Sequence, residues 1–156
     1  MRFRFQVEQY LKAALLDTTG KLTVGNQGPQ WNGKVKLAGL SYSNSAEWGV
    51  VVFSHTHALG VDLEKTKRVL KKNYLQLAKR FFHSSEYEQL RAESIFDGPT
   101  QFLKLWMMKE AYSKMKRKNL IEFININVSD QASFSPLVKT REDYRAIIAI
   151  DSEVIG

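Results

Sequence analysis

Apolar residues at Val7, Tyr10, Leu11, Ala14 and Leu15 recur at helical spacing and predict a helix over residues 5–16, with Asp17-Thr18-Thr19-Gly20 as its exit. Residues 25–33, with three glycines and Pro29, read as a loop. Residues 36–42 and 48–53 are apolar enough for strands, joined by a polar turn over residues 43–47. A third strand over residues 58–64 would complete an antiparallel meander. The helical period then returns over residues 66–82, with apolar positions 70, 74, 75, 77, 78 and 81. Ser84 or Ser85 would cap a short helix carrying Glu86 and Glu88 in its first turn. Pro99 and Thr100 open a long helix reaching to about Lys118. Strand patterns close the chain: an alternating run over residues 123–128, an edge strand over residues 132–138 broken by Pro136, and an apolar strand over residues 144–150.

The order α-β-β-β-α-α-β-β-β divides into two α-plus-sheet halves, roughly residues 1–65 and 66–156, and implies an α+β fold in a single domain. At 156 residues, with 44% apolar and 25% charged, the composition is that of an ordinary globular domain. No stretch approaches the roughly 20 apolar residues needed to cross a bilayer, so a membrane role is not expected. The N-terminus lacks the apolar core of a secretory signal, and the absence of cysteine excludes thiolate and disulfide chemistry. A cytoplasmic location is the expectation.

A net charge of +7 predicts an anionic partner. The basic residues gather in Lys65, Lys67, Arg68, Lys71 and Lys72, and again in Lys109, Lys114, Lys116, Arg117 and Lys118. Both clusters abut acidic motifs. In Gly60-Val61-Asp62-Leu63-Glu64, an extended backbone points Asp62 and Glu64 to one face. In Trp106-Met107-Met108-Lys109-Glu110-Ala111-Tyr112-Ser113-Lys114, helical spacing puts Trp106, Glu110 and Lys114 on one stripe. Taken alone, the first pair is a solvated strand end and the second an ordinary Glu–Lys helix pair. Taken together, Asp62, Glu64 and Glu110 offer an all-oxygen site suited to Mg²⁺, or Mn²⁺, beside lysines suited to phosphate. His55, His57 and His83 read as surface residues, and no phosphate-binding G-x-x-x-x-G-K-[ST] loop is present.

These two motifs, with Arg80-Phe81-Phe82-His83-Ser84-Ser85-Glu86-Tyr87 between them, resemble the signature of the Sfp-type 4′-phosphopantetheinyl transferases. The resemblance runs from about Gly33 to Leu120. It implies a pseudo-dimer of two similar α-plus-antiparallel-sheet halves, with the active site between them. It further implies transfer of phosphopantetheine from coenzyme A to a serine of an acidic acyl- or peptidyl-carrier protein, releasing 3′,5′-ADP. Asp62, Glu64 and Glu110 would hold the metal, and Glu110, Glu64 or a metal-bound water would take the serine proton. Lys109 and Lys114 would contact the coenzyme A phosphates, with Lys114 steadying charge on the reacting phosphorus. Lys34, Ser43 and Asn44 would seat the nucleotide, and Arg4 matches an arginine at the start of the first helix. Glu86 is either a partner of a site residue or a helix N-terminal charge. Trp106 is expected to pack.

Three departures stand out. Asn44 occupies a position where the family has histidine, which removes a potential positive charge. Gly33-Lys34-Val35 lacks the proline of the family's G-K-P. Lys116-Arg117-Lys118-Asn119 replaces a glycine-containing loop, making it more basic and stiffer. Two other readings stay open: a degenerate binder of coenzyme A or carrier protein, and a basic nucleic-acid-binding module. The second lacks the interleaved aromatic and basic residues such modules use, so nucleic acid is not the expected partner.

Overall fold

The computed structural model describes residues 2–66, 73–93, 97–137 and 143–155. Among these residues four α-helices, α1 (Arg2–Ala14), α2 (Tyr74–Phe81), α3 (Ser84–Glu93) and α4 (Gly98–Lys116), accompany seven strands. The strands are β1 (Lys21–Gly25), β2 (Gly28–Asn32), β3 (Gly39–Ser45), β4 (Trp48–Ser54), β5 (His57–Lys65), β6 (Ser133–Pro136) and β7 (Tyr144–Val154). All strand pairing is antiparallel, in β1–β2 and β3–β4 hairpins and a sheet ordered β5-β7-β6, so the expected mixed α+β class holds. Among the described residues no helix is long and apolar enough to cross a membrane.

α4 is the central element. Pro99 sits in its first turn, where a missing N–H costs nothing. Phe102, Leu105, Met108, Ala111, Tyr112 and Met115 are buried on several sides of the helix, packed against Ala78, Phe82, Leu90, Val128 and Ala149. The Phe82 and Phe102 rings stack at 5.1 Å. A second core forms where Val7 and Leu11 of α1 cover Leu22, Trp31 and Leu40. A third joins Val61 and Leu63 to Tyr144 and Ala146 across the β5–β7 pair.

The fold departs from the sequence expectation in four places. Residues 25–33 are not a loop, because Leu22 and Trp31 are opposed across a β1–β2 hairpin and bury together. The meander stops after β4: β5 pairs with β7, joining early sequence to late, and its other edge runs beside β3 in the same direction. Residues 123–128 form no strand. Phe123 donates its N–H to Leu120 O and Ile126 donates to Phe123 O, so the segment coils, and the Ile126 carbonyl accepts from Lys109 Nζ at 2.6 Å. A buried ammonium's need for acceptors overrides the alternating pattern here. α3 begins at Ser84, so the residue before it is His83, whose N–H donates to Glu86 Oε2. The expected helix over residues 66–82 is seen from Tyr74 onward, and Val138 of the expected edge strand lies outside the described residues, as do Lys67, Arg68, Lys71 and Lys72.

Candidate active site

The seam between β3 and β5 is stitched by hydroxyls. Ser41 and Ser43 alternate with the core-facing Leu40 and Tyr42, so both serines point toward β5. Ser41 Oγ accepts the Val61 N–H at 3.1 Å and Ser43 Oγ accepts the Leu63 N–H at 3.2 Å. Ser43 Oγ also donates to Asp62 Oδ1 at 3.2 Å. Two side chains thus replace a main-chain ladder and fix the carboxylate at the middle of the acidic motif.

α4 closes on this strand from the other side. Gly60 makes the approach possible, since a Cβ there would collide with the Ala111 carbonyl. The close fit brings Lys114 Nζ to 3.0 Å from Asp62 Oδ1, 3.1 Å from Val61 O and 3.3 Å from Ser43 Oγ. Asp62 is buried, and its second oxygen, Oδ2, has no hydrogen-bond partner among the described residues. Burial, then the Asp62 and Glu64 charges, push the Glu110 carboxyl above its ordinary range, with Lys114 acting the other way. Glu110 thus lies within electrostatic reach of Asp62 and Glu64.

Among the described residues no three acidic, histidine or cysteine side chains are gathered closely enough to form a ready metal cluster. The donor chemistry nonetheless fits a hard cation: Asp62 presents a buried, unsatisfied oxygen on the strand that α4, carrying Glu110, covers. Glu64 is half-buried and already engaged with its surroundings.

The remaining site residues are dispersed. Lys109 is wholly buried, with Nζ 2.7 Å from Glu86 Oε2 and 5.0 Å from the centre of the Phe82 ring. It is turned away from the carboxylate site where the resemblance would use it, because its position on α4 faces the core. Arg4 Nη2 donates to Leu22 O at 2.9 Å, while Glu8 Oε2 accepts the Leu22 N–H at 3.0 Å. The pair clamps α1 onto β1. Lys34 and Asn44 are exposed, and Asn44 follows Ser43 on the strand and so faces the opposite way. Trp106 packs partly buried against the α4 core, as expected.

Sequence reading missed two residues. Ser41 was legible only once β3 and β5 were known to be neighbours. Asp17, beyond the end of α1, is buried and accepts the N–H groups of Lys34 at 2.7 Å and Val35 at 3.3 Å. It thereby shapes Gly33-Lys34-Val35, and Gly33 has no room for a Cβ because the Asp17 carboxylate and Trp31 ring occupy it.

Beside the carboxylates, on the same face of the sheet, lies a cavity of about 610 Å³. Register explains the adjacency, since Asp62 opposes Ile147 and Glu64 opposes Arg145. Leu103, Met107, Met108 and Phe134 line the cavity, with Lys104 and Arg145 at its rim.

A family model for the 4′-phosphopantetheinyl transferase superfamily matches residues 58–153, well over half of the chain. The chain belongs to this superfamily. The 4′-phosphopantetheinyl transferase Sfp of Bacillus subtilis (strain 168) is 36% identical over 83 residues, covering 53% of this chain and 35% of the relative. The 4′-phosphopantetheinyl transferase gsp of Aneurinibacillus migulanus is 33% identical over 88 residues, covering 56% of this chain and 34% of the relative. A further Bacillus subtilis 4′-phosphopantetheinyl transferase is 30% identical over 99 residues, 62% of this chain and 42% of the relative. The matches thus span between about a third and two fifths of each of these relatives. The match takes in all of β5 after His57 and the whole of α4, the elements that carry Asp62, Glu64, Glu110 and Lys114.

Proposed function

We propose that this chain transfers the 4′-phosphopantetheine group of coenzyme A to a serine of an apo acyl- or peptidyl-carrier protein in the cytoplasm. The observation that carries the reading is the contact of Lys114 with Asp62 where α4, which also carries Glu110, presses on β5. In the reaction a bond forms between the serine oxygen and the β-phosphorus, and the bond from that phosphorus to the bridging oxygen breaks. 3′,5′-ADP leaves with the bonding electrons, and the serine proton passes to a carboxylate, Glu110 or Glu64.

Asp62, Glu64 and Glu110 would hold a Mg²⁺ or Mn²⁺ ion, whose chemistry is to neutralise charge on the pyrophosphate. Lys114 supplies positive charge for the same phosphates. The cavity beside Glu64 has the position and apolar lining to take the pantetheine arm, with Met107 and Met108 adapting to it. Lys34, Asn44 and Ser43 remain candidates for the nucleotide, although Ser43 is also occupied with Asp62. We read Lys109 and Arg4 as residues that hold the scaffold. We further infer that the chain works as one domain of two α-plus-sheet halves, residues 1–65 and 66–156, related as a pseudo-dimer with the site between them. An acidic carrier protein would be drawn to the basic sequence cluster that begins at Lys65.

A second reading, a binder of coenzyme A or carrier protein without turnover, is favoured by one observation: Lys109 is buried and paired with Glu86. Mass spectrometry of an apo carrier protein incubated with this chain, coenzyme A and Mg²⁺ separates the two. Gain of one phosphopantetheine that needs Mg²⁺ supports transfer. Binding of coenzyme A with no gain across several carriers supports the second reading.

A further inference from the structure

We propose that Lys114 is a resident counter-ion of the carboxylate site, and that a divalent cation binds only by displacing its ammonium from Asp62. The proposal rests on reading Asp62, Glu64 and Glu110 as a cation site. An ammonium has three donors, and here Asp62 Oδ1, Val61 O and Ser43 Oγ offer it three acceptors, at 3.0, 3.1 and 3.3 Å. The Asp62 side chain is 7% exposed, so without Lys114 its charge would be buried with only a serine hydroxyl for company. The lysine therefore does for the empty-handed protein what a metal would do for the loaded one.

The two cannot share the place at no cost. A dication on Asp62 Oδ2 would stand a few ångströms from the ammonium on Oδ1, in a half-buried site where like charges repel strongly. Lys114 can leave, because its side chain is 31% exposed and its stem is flexible. It needs a new acceptor, and the phosphates of an arriving coenzyme A are acceptors of the right charge. Cation and pyrophosphate should accordingly assist each other: each supplies what the other's arrival takes from Asp62 or Lys114, and the coupling must be reciprocal.

The test is Mn²⁺ binding by titration calorimetry, with and without coenzyme A, for the wild type and for Lys114→Met and Lys114→Arg. In the absence of coenzyme A, Lys114→Met is expected to bind Mn²⁺ roughly tenfold tighter than wild type, the scale of removing one nearby unit charge. The same variant should bind coenzyme A more weakly and lose the synergy between the two ligands. Lys114→Arg keeps the charge and should keep the weak Mn²⁺ affinity. A lysine with a merely structural role would on removal weaken both ligands; equal or weaker Mn²⁺ binding by Lys114→Met overturns the proposal. Should Lys114→Met not fold, reductive methylation of the wild type followed by mass spectrometry decides. Lys114 should be protected without ligands and reactive at saturating Mn²⁺, and unchanged protection also overturns the proposal. If wild type binds no Mn²⁺ even with coenzyme A, or Glu110→Gln binds it as well as wild type, the cation site itself is wrong.

Discussion

Lys109 Nζ lies 2.7 Å from Glu86 Oε2, with both side chains buried between α3 and α4. Burial lowers the Lys109 pKa, and the hydrogen bond and charge of Glu86 oppose that fall. Removing one partner strands the other. Lys109→Met is expected to destabilise the fold by roughly 3–5 kcal/mol. Denaturant unfolding should show that adding Glu86→Gln recovers part of this loss. If the double variant is no more stable than Lys109→Met, the two residues do not act as a pair.

Glu110→Gln keeps shape and removes charge. Carrier-protein modification should fall by about 10²–10⁴-fold, the scale for losing a proton acceptor, with further loss if a cation ligand goes too. Circular dichroism should show the fold intact. Activity within a few-fold of wild type would remove Glu110 from the chemistry.

Asp17 gives the protein an acid sensitivity of its own. Burial alone would raise its pKa, but hydrogen bonds from Val35, Thr19 and Lys34 outweigh it, and the net direction is down from 3.8. A depressed carboxyl contributes stability that is fully present above its unfolded pKa and lost as pH falls through the folded one. Asp17→Asn should therefore be less stable than wild type at neutral pH, and the gap should narrow below about pH 3.8. Thermal melts across that range check the sign; a gap that stays constant would mean the charge is irrelevant.

Arg117 ends α4 with a left-handed φ of 55°, a conformation that favours glycine. Its guanidinium donates to Gln27 O at 3.2 Å, which offsets part of the strain. Leu16 has φ 50° and is 91% exposed, with nothing comparable in return. Leu16→Gly should stabilise by up to about 1 kcal/mol and Arg117→Gly by less. Their order, read from melting temperatures, is the part that tests the argument.

Much of this was legible in the chain. The alternation around Asp62 put it on one strand face and the helical stripe of α4 put Glu110 and Lys114 on one helix face, and the structure joins Lys114 to Asp62. Lys109 was not legible, because a sequence stripe marks where carboxylates and lysines stand but not that α4 is buried on several sides. The β1–β2 hairpin was hidden because its burial rests on Leu22 and Trp31 alone, among glycines and amides. Residues 123–128 carried a strand pattern that local propensity supports, and a distant ammonium claimed the backbone instead.

The hydroxyl stitching along β3 also has a bearing on how copies of this chain behave in a crowded solution. A strand edge with unmet amides invites pairing with a strand from another molecule. On β5 the Val61 and Leu63 amides are met by Ser41 and Ser43, so the edge is occupied without a neighbouring ladder. With both serines changed to alanine, those two amides would lose their acceptors, and wherever β3 lifted from β5 the bare edge would invite self-association.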